Sequence, residues 1–364
     1  MKVAIVHDYL NQYGGAEKVI EVLHEIYPDA PIYTSLYDKE KMPDSFREMD
    51  VRVSFMQKLP FVKKHFKKYL PFFHAAFETF DLSEYDVVFS SSSAFAKCAR
   101  TTDDTCHISY VHTPARFIWF YDEYIKREDL HGIYLYILPF IIKYLKKIDL
   151  GSSNCVDYFI ANSYNVKDRI KRFYGKEAEV IYPPVECARF NKEVQKGDYF
   201  LAVSRLREYK RMDVAIETFN ELGLPLKVIG SGSDRAKLEQ MAKSNIEFLG
   251  RIDDDGLADY YSGCRALIFT GEEDLGIIPL EAMSAGRPVI AYKAGGALET
   301  VVEGVTGKFF YPQDKDALIK AVRAFKDNDY DEAAIRTHAR KFDTQVFKQK
   351  IKDFVDVKYR EFKK

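Results

Sequence analysis

Short apolar runs bounded by turn residues alternate with amphipathic stretches along nearly the whole chain. Val3–Val6 is the first run, and Asn11–Gly15 leads from it into AEKVIEVLHEIY, whose apolar residues recur at helical spacing. Residues 31–36, 86–90, 107–112 and 158–162 repeat the strand-like pattern, with helix-like segments between them. Strands that are apolar along their whole length and separated by helices predict a parallel sheet covered on both faces. Tyr182-Pro183-Pro184-Val185 interrupts the pattern, because two adjacent prolines stiffen the chain and forbid helix there. A second alternation follows. Strands are expected at 199–204, 226–230, 246–249, 266–270 and 288–291, with helices near 214–222 and 235–243.

The pattern therefore predicts an α/β chain of two doubly wound, Rossmann-like domains, 1–182 and 183–343. From Thr344 the chain reads as one helix with Val346, Phe347, Ile351, Phe354 and Val355 on its apolar side, expected to pack back on the first domain. Two such domains would set the carboxyl ends of their sheets facing each other across a cleft, where ligands of these sheets bind. A length of 364 residues with 47% hydrophobic content suits two cores. The net charge of -1 argues against a polycation built for nucleic acid. The 5 cysteines include no CxxC pair, which argues against a disulfide framework or a zinc ribbon and for a reducing, cytoplasmic setting. The opening MKVAIVHDYL reads as a strand rather than a signal peptide. The longest apolar run, Ile133–Ile142, is far short of the ~20 residues of a spanning helix.

Residues that follow strands carry the candidate chemistry. After the strand ending near Thr270 comes GEEDLGIIPLEAMSAGRPVIA. Gly276 and Pro279 introduce a short helix, Glu281 is expected in its first turn, and Gly286 ends it. A helix start aimed at the strand ends suits a diphosphate, with Glu273 in the loop and Glu281 on the helix meeting one ligand at different depths. Ser204-Arg205-Leu206-Arg207-Glu208-Tyr209-Lys210 follows another strand, and Arg205 and Lys210 can both reach a phosphate there. Gly14-Gly15 before the first helix permits close backbone approach, but no GxGxxG is present. His112, after a first-domain strand, is a candidate site residue, and His7 a lesser one. Asp253-Asp254-Asp255 contains a DxD pattern but precedes a helix, so the expectation is an N-terminal cap and no metal.

With these residues in order, the chain resembles a retaining glycosyltransferase of family 4 with the GT-B fold. Glu273 and Glu281 match its EX7E motif. Ser204, Arg205 and Lys210 match its phosphate clamp, Gly14-Gly15 its glycine loop, and FLGRIDDDGLADYYSGCRALIF the segment between. SSSSAFAKCART and YVHTPARFIW further resemble bacterial O-antigen and exopolysaccharide mannosyltransferases. The resemblance implies a first domain that binds the acceptor and a second that binds a nucleotide-sugar donor, GDP-mannose being the implied donor, with no cofactor. It implies that Glu281 binds the donor ribose and that Glu273 contacts the donor sugar. Arg205 and Lys210 would neutralise the leaving diphosphate with backbone N–H groups at Gly276, Ile277 and Ile278, and His112 would sit near the transferred sugar. It also implies retention of configuration and a lipid-linked or saccharide acceptor.

Other readings remain at this level. An NAD-type oxidoreductase is disfavoured by the missing glycine fingerprint. A nucleotide-sugar epimerase, a UDP-sugar donor, a non-catalytic binder and any oligomeric state stay open. Residues 55–73, FMQKLPFVKKHFKKYLPFF, carry Lys58, Lys63, Lys64, Lys67 and Lys68 with no acid. Read as one helix, they put Val62, Phe66, Tyr69 and Phe73 on one face and the lysines largely opposite. That face, with the aromatic run Ile133–Lys147, predicts docking on an anionic membrane surface, on the cytoplasmic side of the inner membrane.

Overall fold

In the first strand, alternate residues serve two different cores. Val3 and Ile5 belong to one buried cluster, and Ala4 and Val6 to another on the opposite face. This is why the run is apolar throughout rather than alternating. The computed structural model describes residues 1–121, 134–192 and 194–364. The chain divides into two compact units, Met1–Pro184 with Phe347–Lys364, and Val185–Val346.

In the first unit, seven parallel strands run β1 (Val3–His7), β2 (Ile32–Thr34), β3 (Val51–Val53), β4 (Val87–Ser92), β5 (Cys106–Val111), β6 (Tyr158–Ala161) and β7 (Ala178–Val180). Their order in the sheet is β3-β2-β1-β4-β5-β6-β7. The register pairs His7 with Ser91 across β1 and β4, and Ser92 with Val111 across β4 and β5. The helix Gly15–Ile26 follows β1 directly. The final helix, Thr344–Phe362, buries Phe347, Ile351, Phe354 and Val355 in the cluster that holds Val3 and Ile5. Truncating one of these to Ala would cost about 2–5 kcal/mol.

The second unit repeats the plan with β8 (Phe200–Val203), β9 (Leu226–Ile229), β10 (Ile246–Gly250), β11 (Leu267–Phe269), β12 (Val289–Tyr292) and β13 (Gly307–Phe310). Their order is β10-β9-β8-β11-β12-β13. The helices Met212–Leu222 and Lys315–Arg323 pack together on its core, which includes Phe200, Phe219, Ile268, Ile290 and Leu318. The sequence pattern did not show β3, β7 or β13. All three lie at sheet edges, and VRV, AEV and GKFF carry charged residues where a central strand would be apolar.

Residues 55–73 differ from the expected single helix. They form a 3₁₀ turn at Phe55–Lys58, an α turn at Val62–His65 and a 3₁₀ stretch at Phe66–Phe72 that contains Pro71. Pro60 and Pro71 explain the interruptions, since neither can donate a helical hydrogen bond. The apolar face is also spoken for. Val62 and Phe73 are buried in the first unit's core, with Phe66 and Tyr69 packed against it. What stands out to solvent is Phe55, Phe61 and Phe72. The side chains of Lys64, Lys67 and Lys68 lie outside the described residues, as do residue Ile133 and the side chains of 134–136. Among the described residues no helix is long and apolar enough to cross a membrane. The cysteines are all free. Cys98, Cys106, Cys187 and Cys264 are buried and Cys155 is exposed.

Candidate functional site

The second sheet reverses its order between β8 and β11, and the loops leaving those two strands carry the basic and acidic residues singled out above. Carboxyl ends at such a reversal are where ligands bind in doubly wound sheets. Ser204 leaves β8 on a loop pressed against a glycine pair on the neighbouring strand's loop. A Cβ at Gly230 would lie 1.8 Å from the Ser204 carbonyl oxygen, and one at Gly232 would lie 2.0 Å from that of Leu206. Only glycine permits this approach. Arg205 is exposed at the tip. Lys210 ends a 3₁₀ turn, Glu208–Lys210, and its backbone is clamped from below. Thr270 Oγ1 donates to the Lys210 carbonyl at 3.0 Å, and the Gln313 amide donates to the Thr270 carbonyl at 2.8 Å. Arg211, in the left-handed region at φ 51°, reaches Gln313 at 3.2 Å and pairs with Asp213.

This scaffold delivers the Lys210 ammonium to the Glu273 carboxylate, and the two form an ion pair. Lys210 is 10% exposed and Glu273 24%. Lys210 also lies over the Tyr209 ring, 4.9 Å from its centre. Glu273 is fixed through its backbone, since its carbonyl accepts from the Gly296 N–H at 2.9 Å. A Cβ on Gly296 would come within 2.1 Å of Leu275 Cα, so the Gly295-Gly296 turn is needed to seat the loop. Gly276, at φ 84°, turns the chain into the helix Ile277–Ser284. The first N–H groups of that helix, at Ile277 and Ile278, have no carbonyl within it to bond and remain donors for an anion. Glu281 lies in the second turn rather than the first, because the helix begins only at Ile277. It is 8% exposed and accepts a hydrogen bond of 2.8 Å from the Tyr261 hydroxyl. Tyr261 is fully buried on the helix Asp254–Gly263. The Asp253 carboxylate caps that helix, accepting from Gly256 N–H at 2.8 Å. The Asp254 side chain lies outside the described residues.

In the first unit the carboxyl ends of β1 and β4, again where strand order reverses, gather a second polar cluster. Gly14 caps, and Gly15 begins, the helix that carries Glu17 in its first turn. Glu17 is buried with its carboxylate 3.7 Å from His7 Nε2. His7 Nδ1 lies 3.2 Å from Ser91 Oγ, and Ser91 Oγ lies 2.8 Å from His112 Nε2. His112 is half-buried, crosses the Tyr110 ring edge-on, and accepts at its carbonyl from the Asn162 amide. Burial, aided by the neighbouring His7, pushes the His112 imidazole down to about 3. Asp8 closes the cluster. Its buried carboxylate accepts backbone N–H bonds from Ser93, Ala94, Phe95 and Ala96 at 2.5–2.9 Å, which fixes the loop after β4. Beneath that loop Lys97 pairs with Asp149, which also accepts from Trp119 Nε1 at 2.6 Å and the Tyr174 hydroxyl at 2.8 Å.

Lys210 and Glu273 are thus brought into contact, and the Arg205 loop leaves the same sheet reversal. Glu281 engages a residue, Tyr261, that sequence reasoning passed over. Glu17, Asp8 and Ser91 were passed over too, although Asp8 directly follows β1 and Ser91 is next to last in β4. The second unit offers a fixed cation, helix N–H donors and two carboxylates. That set can hold an anionic leaving group and polar hydroxyls together.

Comparison with known proteins bears on the family and the fold. The family model for glycosyl transferases group 1 matches residues 186–342, and the model for Glycosyltransferase Family 4 matches residues 13–189. The O-antigen chain mannosyltransferase C of Escherichia coli is 24% identical over 88% of this chain and 87% of its own length. The alpha-1,3/1,6-mannosyltransferase ALG2 of Dictyostelium discoideum is 25% identical over 87% of each. The crystal structure of Anabaena HepE in complex with UDP superposes with a TM-score of 0.73 at 18% identity, covering 98% of this chain and 100% of that one. With one model on each unit and two parallel sheets of matching architecture, the chain belongs to the family 4 glycosyltransferases of the GT-B fold.

Proposed function

We propose that this glycosyltransferase moves a hexose from a nucleoside-diphosphate sugar onto a lipid-linked or saccharide acceptor in bacterial surface-polysaccharide synthesis, with mannose from GDP-mannose as the first donor to test. The observation that carries the donor half is the Lys210–Glu273 pair at the β8/β11 reversal, beside the helix start at Gly276–Ile278. A departing nucleoside diphosphate develops negative charge. Lys210, Arg205 and the helix N–H groups are suited to receive it. Glu273 would meet the donor sugar, Glu281 the ribose hydroxyls, and His112 the transferred sugar. Ser204 and the Gly14-Gly15 turn would allow close backbone approach to the ligand. Retention would follow from front-face attack on an oxocarbenium-like sugar without a covalent intermediate.

The mannosyl assignment draws on the printed activities of the E. coli and Dictyostelium relatives. The UDP bound to HepE supports a second reading, a UDP-sugar donor. A thermal-shift screen against GDP, UDP, ADP and TDP with their sugars decides between them, since a ligand that binds only the folded state raises its melting temperature. Stabilisation by GDP and GDP-mannose alone supports the first reading. Stabilisation by the UDP pair alone overturns it. Hydrolysis of the stabilising donor then separates an enzyme from a binder, and formation of an isomeric nucleotide sugar would mark an epimerase.

For the acceptor side, the first unit exposes Phe55, Phe61 and Phe72 near Lys58 and Lys63, and Ile137, Phe140 and Tyr144 on the helix Tyr134–Ser152. These are the groups that would rest on an anionic leaflet, the enzyme working at the cytoplasmic face. Aromatic rings suit the headgroup boundary, and each lysine near the surface contributes about 1 kcal/mol.

A further inference from the structure

The polar cluster at the β1/β4 reversal does more than bury polar atoms, because its hydrogen bonds can be followed proton by proton. We infer that His7 and Ser91 hold His112 as a neutral imidazole with its proton on Nδ1, so that it offers its ligand a hydrogen-bond donor and not a base. Ser91 and His7 are thereby positioning residues. The inference rests on the reading of His112 as the residue that meets the transferred sugar.

The chain begins with a carbonyl. His7 Nδ1 lies 3.2 Å from the Ser91 carbonyl oxygen and 3.2 Å from its Oγ. A carbonyl oxygen can only accept, so Nδ1 of His7 carries a hydrogen. On the far side of that ring the Glu17 carboxylate stands 3.7 Å from Nε2, with both side chains 2–3% exposed. Ser91 Oγ accepts from His7 and turns its single proton to its other neighbour, His112 Nε2, at 2.8 Å. A ring nitrogen that accepts is bare, and in a neutral imidazole the other nitrogen then bears the hydrogen. Burial, aided by the neighbouring His7, disfavours a second proton on His112. Among the described residues no hydrogen bond reaches Nδ1 of His112, which leaves it for a ligand. The strand register makes the relay possible, since it sets His7 directly opposite Ser91 and brings the chain after β5 past the end of β4.

The test is a long-range ¹H–¹⁵N correlation spectrum of the full chain labelled on histidine nitrogens, at neutral pH. The His112 signals are identified by their loss in His112→Gln. Expected is Nδ1 in the protonated-nitrogen range and Nε2 in the bare-nitrogen range. In Ser91→Ala the two should move toward intermediate, tautomer-averaged positions. A wild-type spectrum with the proton on Nε2 overturns the inference, and so does an unchanged pattern in Ser91→Ala. The wild-type spectrum decides the tautomer even where the variant fails to fold. In donor turnover, His112→Ala should lose on the order of 10²-fold. His112→Gln keeps an N–H donor and should lose several-fold less. A glutamine variant as slow as alanine overturns the donor role. Parental turnover in both, beside the expected spectrum, leaves the tautomer standing and removes His112 from the sugar.

Discussion

The Lys210–Glu273 pair makes an opposite-sign prediction about product binding. Before a donor arrives, the ammonium is neutralised by the carboxylate. A nucleoside diphosphate must therefore compete with Glu273 for Lys210 and tolerate its charge. A unit charge about 5 Å from a phosphate oxygen is worth about 3 kcal/mol at an effective dielectric of about 20. Glu273 is 24% exposed, and its pair with Lys210 already spends part of that repulsion. About 1–2 kcal/mol remains, or roughly 5–30-fold in Kd. Glu273→Gln, which keeps a hydrogen-bond acceptor for Lys210, should therefore bind GDP or UDP roughly 5–30-fold more tightly while turning over more slowly. Lys210→Ala removes the attraction and leaves Glu273 unpaired toward the phosphate, so it should weaken binding by about 2–3 kcal/mol. Isothermal titration calorimetry of both variants with the free diphosphates measures these shifts, and high salt should shrink both. Weaker binding by Glu273→Gln, or shifts of the same sign in the two variants, would refute the reasoning.

Three further outcomes are expected. Asp149→Ala strands the buried Lys97, whose affinity for its proton is held up by Asp149 against the opposing effect of burial, and it leaves Trp119 Nε1 and Tyr174 without their acceptor. It should cost about 3–5 kcal/mol in urea unfolding, and Lys97→Met with Asp149→Leu should recover much of it. Burial lowers the fully buried His107 to about 4, against an ordinary value of 6.5. The unfolded chain thus binds the extra proton first as pH falls, so stability present above pH 6.5 should decline by about 3 kcal/mol toward pH 4, and His107→Gln should flatten that slope in urea titrations. Changing Lys58, Lys63, Lys64, Lys67 and Lys68 to Ser should weaken flotation with anionic liposomes and leave hydrolysis of the soluble donor nearly unchanged, whereas equal flotation would count against the membrane-docking reading.

The sequence by itself determined the layered architecture and the order of its elements. Central strands such as Phe200–Val203 and Leu267–Phe269 are covered on both faces, so they are apolar throughout and announce themselves. The final helix was legible for a related reason, since Phe347, Ile351, Phe354 and Val355 repeat at helical spacing and need a core to cover them. The loops that carry Arg205, Lys210, Glu273 and Gly276 were legible as the segments that follow strands, and the structure sets them at the β8/β11 reversal. Edge strands β3, β7 and β13 were not legible, since an edge tolerates charge and blurs the pattern. The 55–73 stretch misled, because periodicity alone cannot tell a face turned to lipid from one turned to its own core, and Pro60 and Pro71 break the helix that the period assumed. Only the tertiary structure decided which polar groups meet. Asp8 with the backbone after β4, Tyr261 with Glu281, and Glu17 with His7, Ser91 and His112 are joined by parallel strand register and helix packing. Most of these partners lie tens of residues apart, and a buried donor or acceptor leaves no local trace of the group that satisfies it.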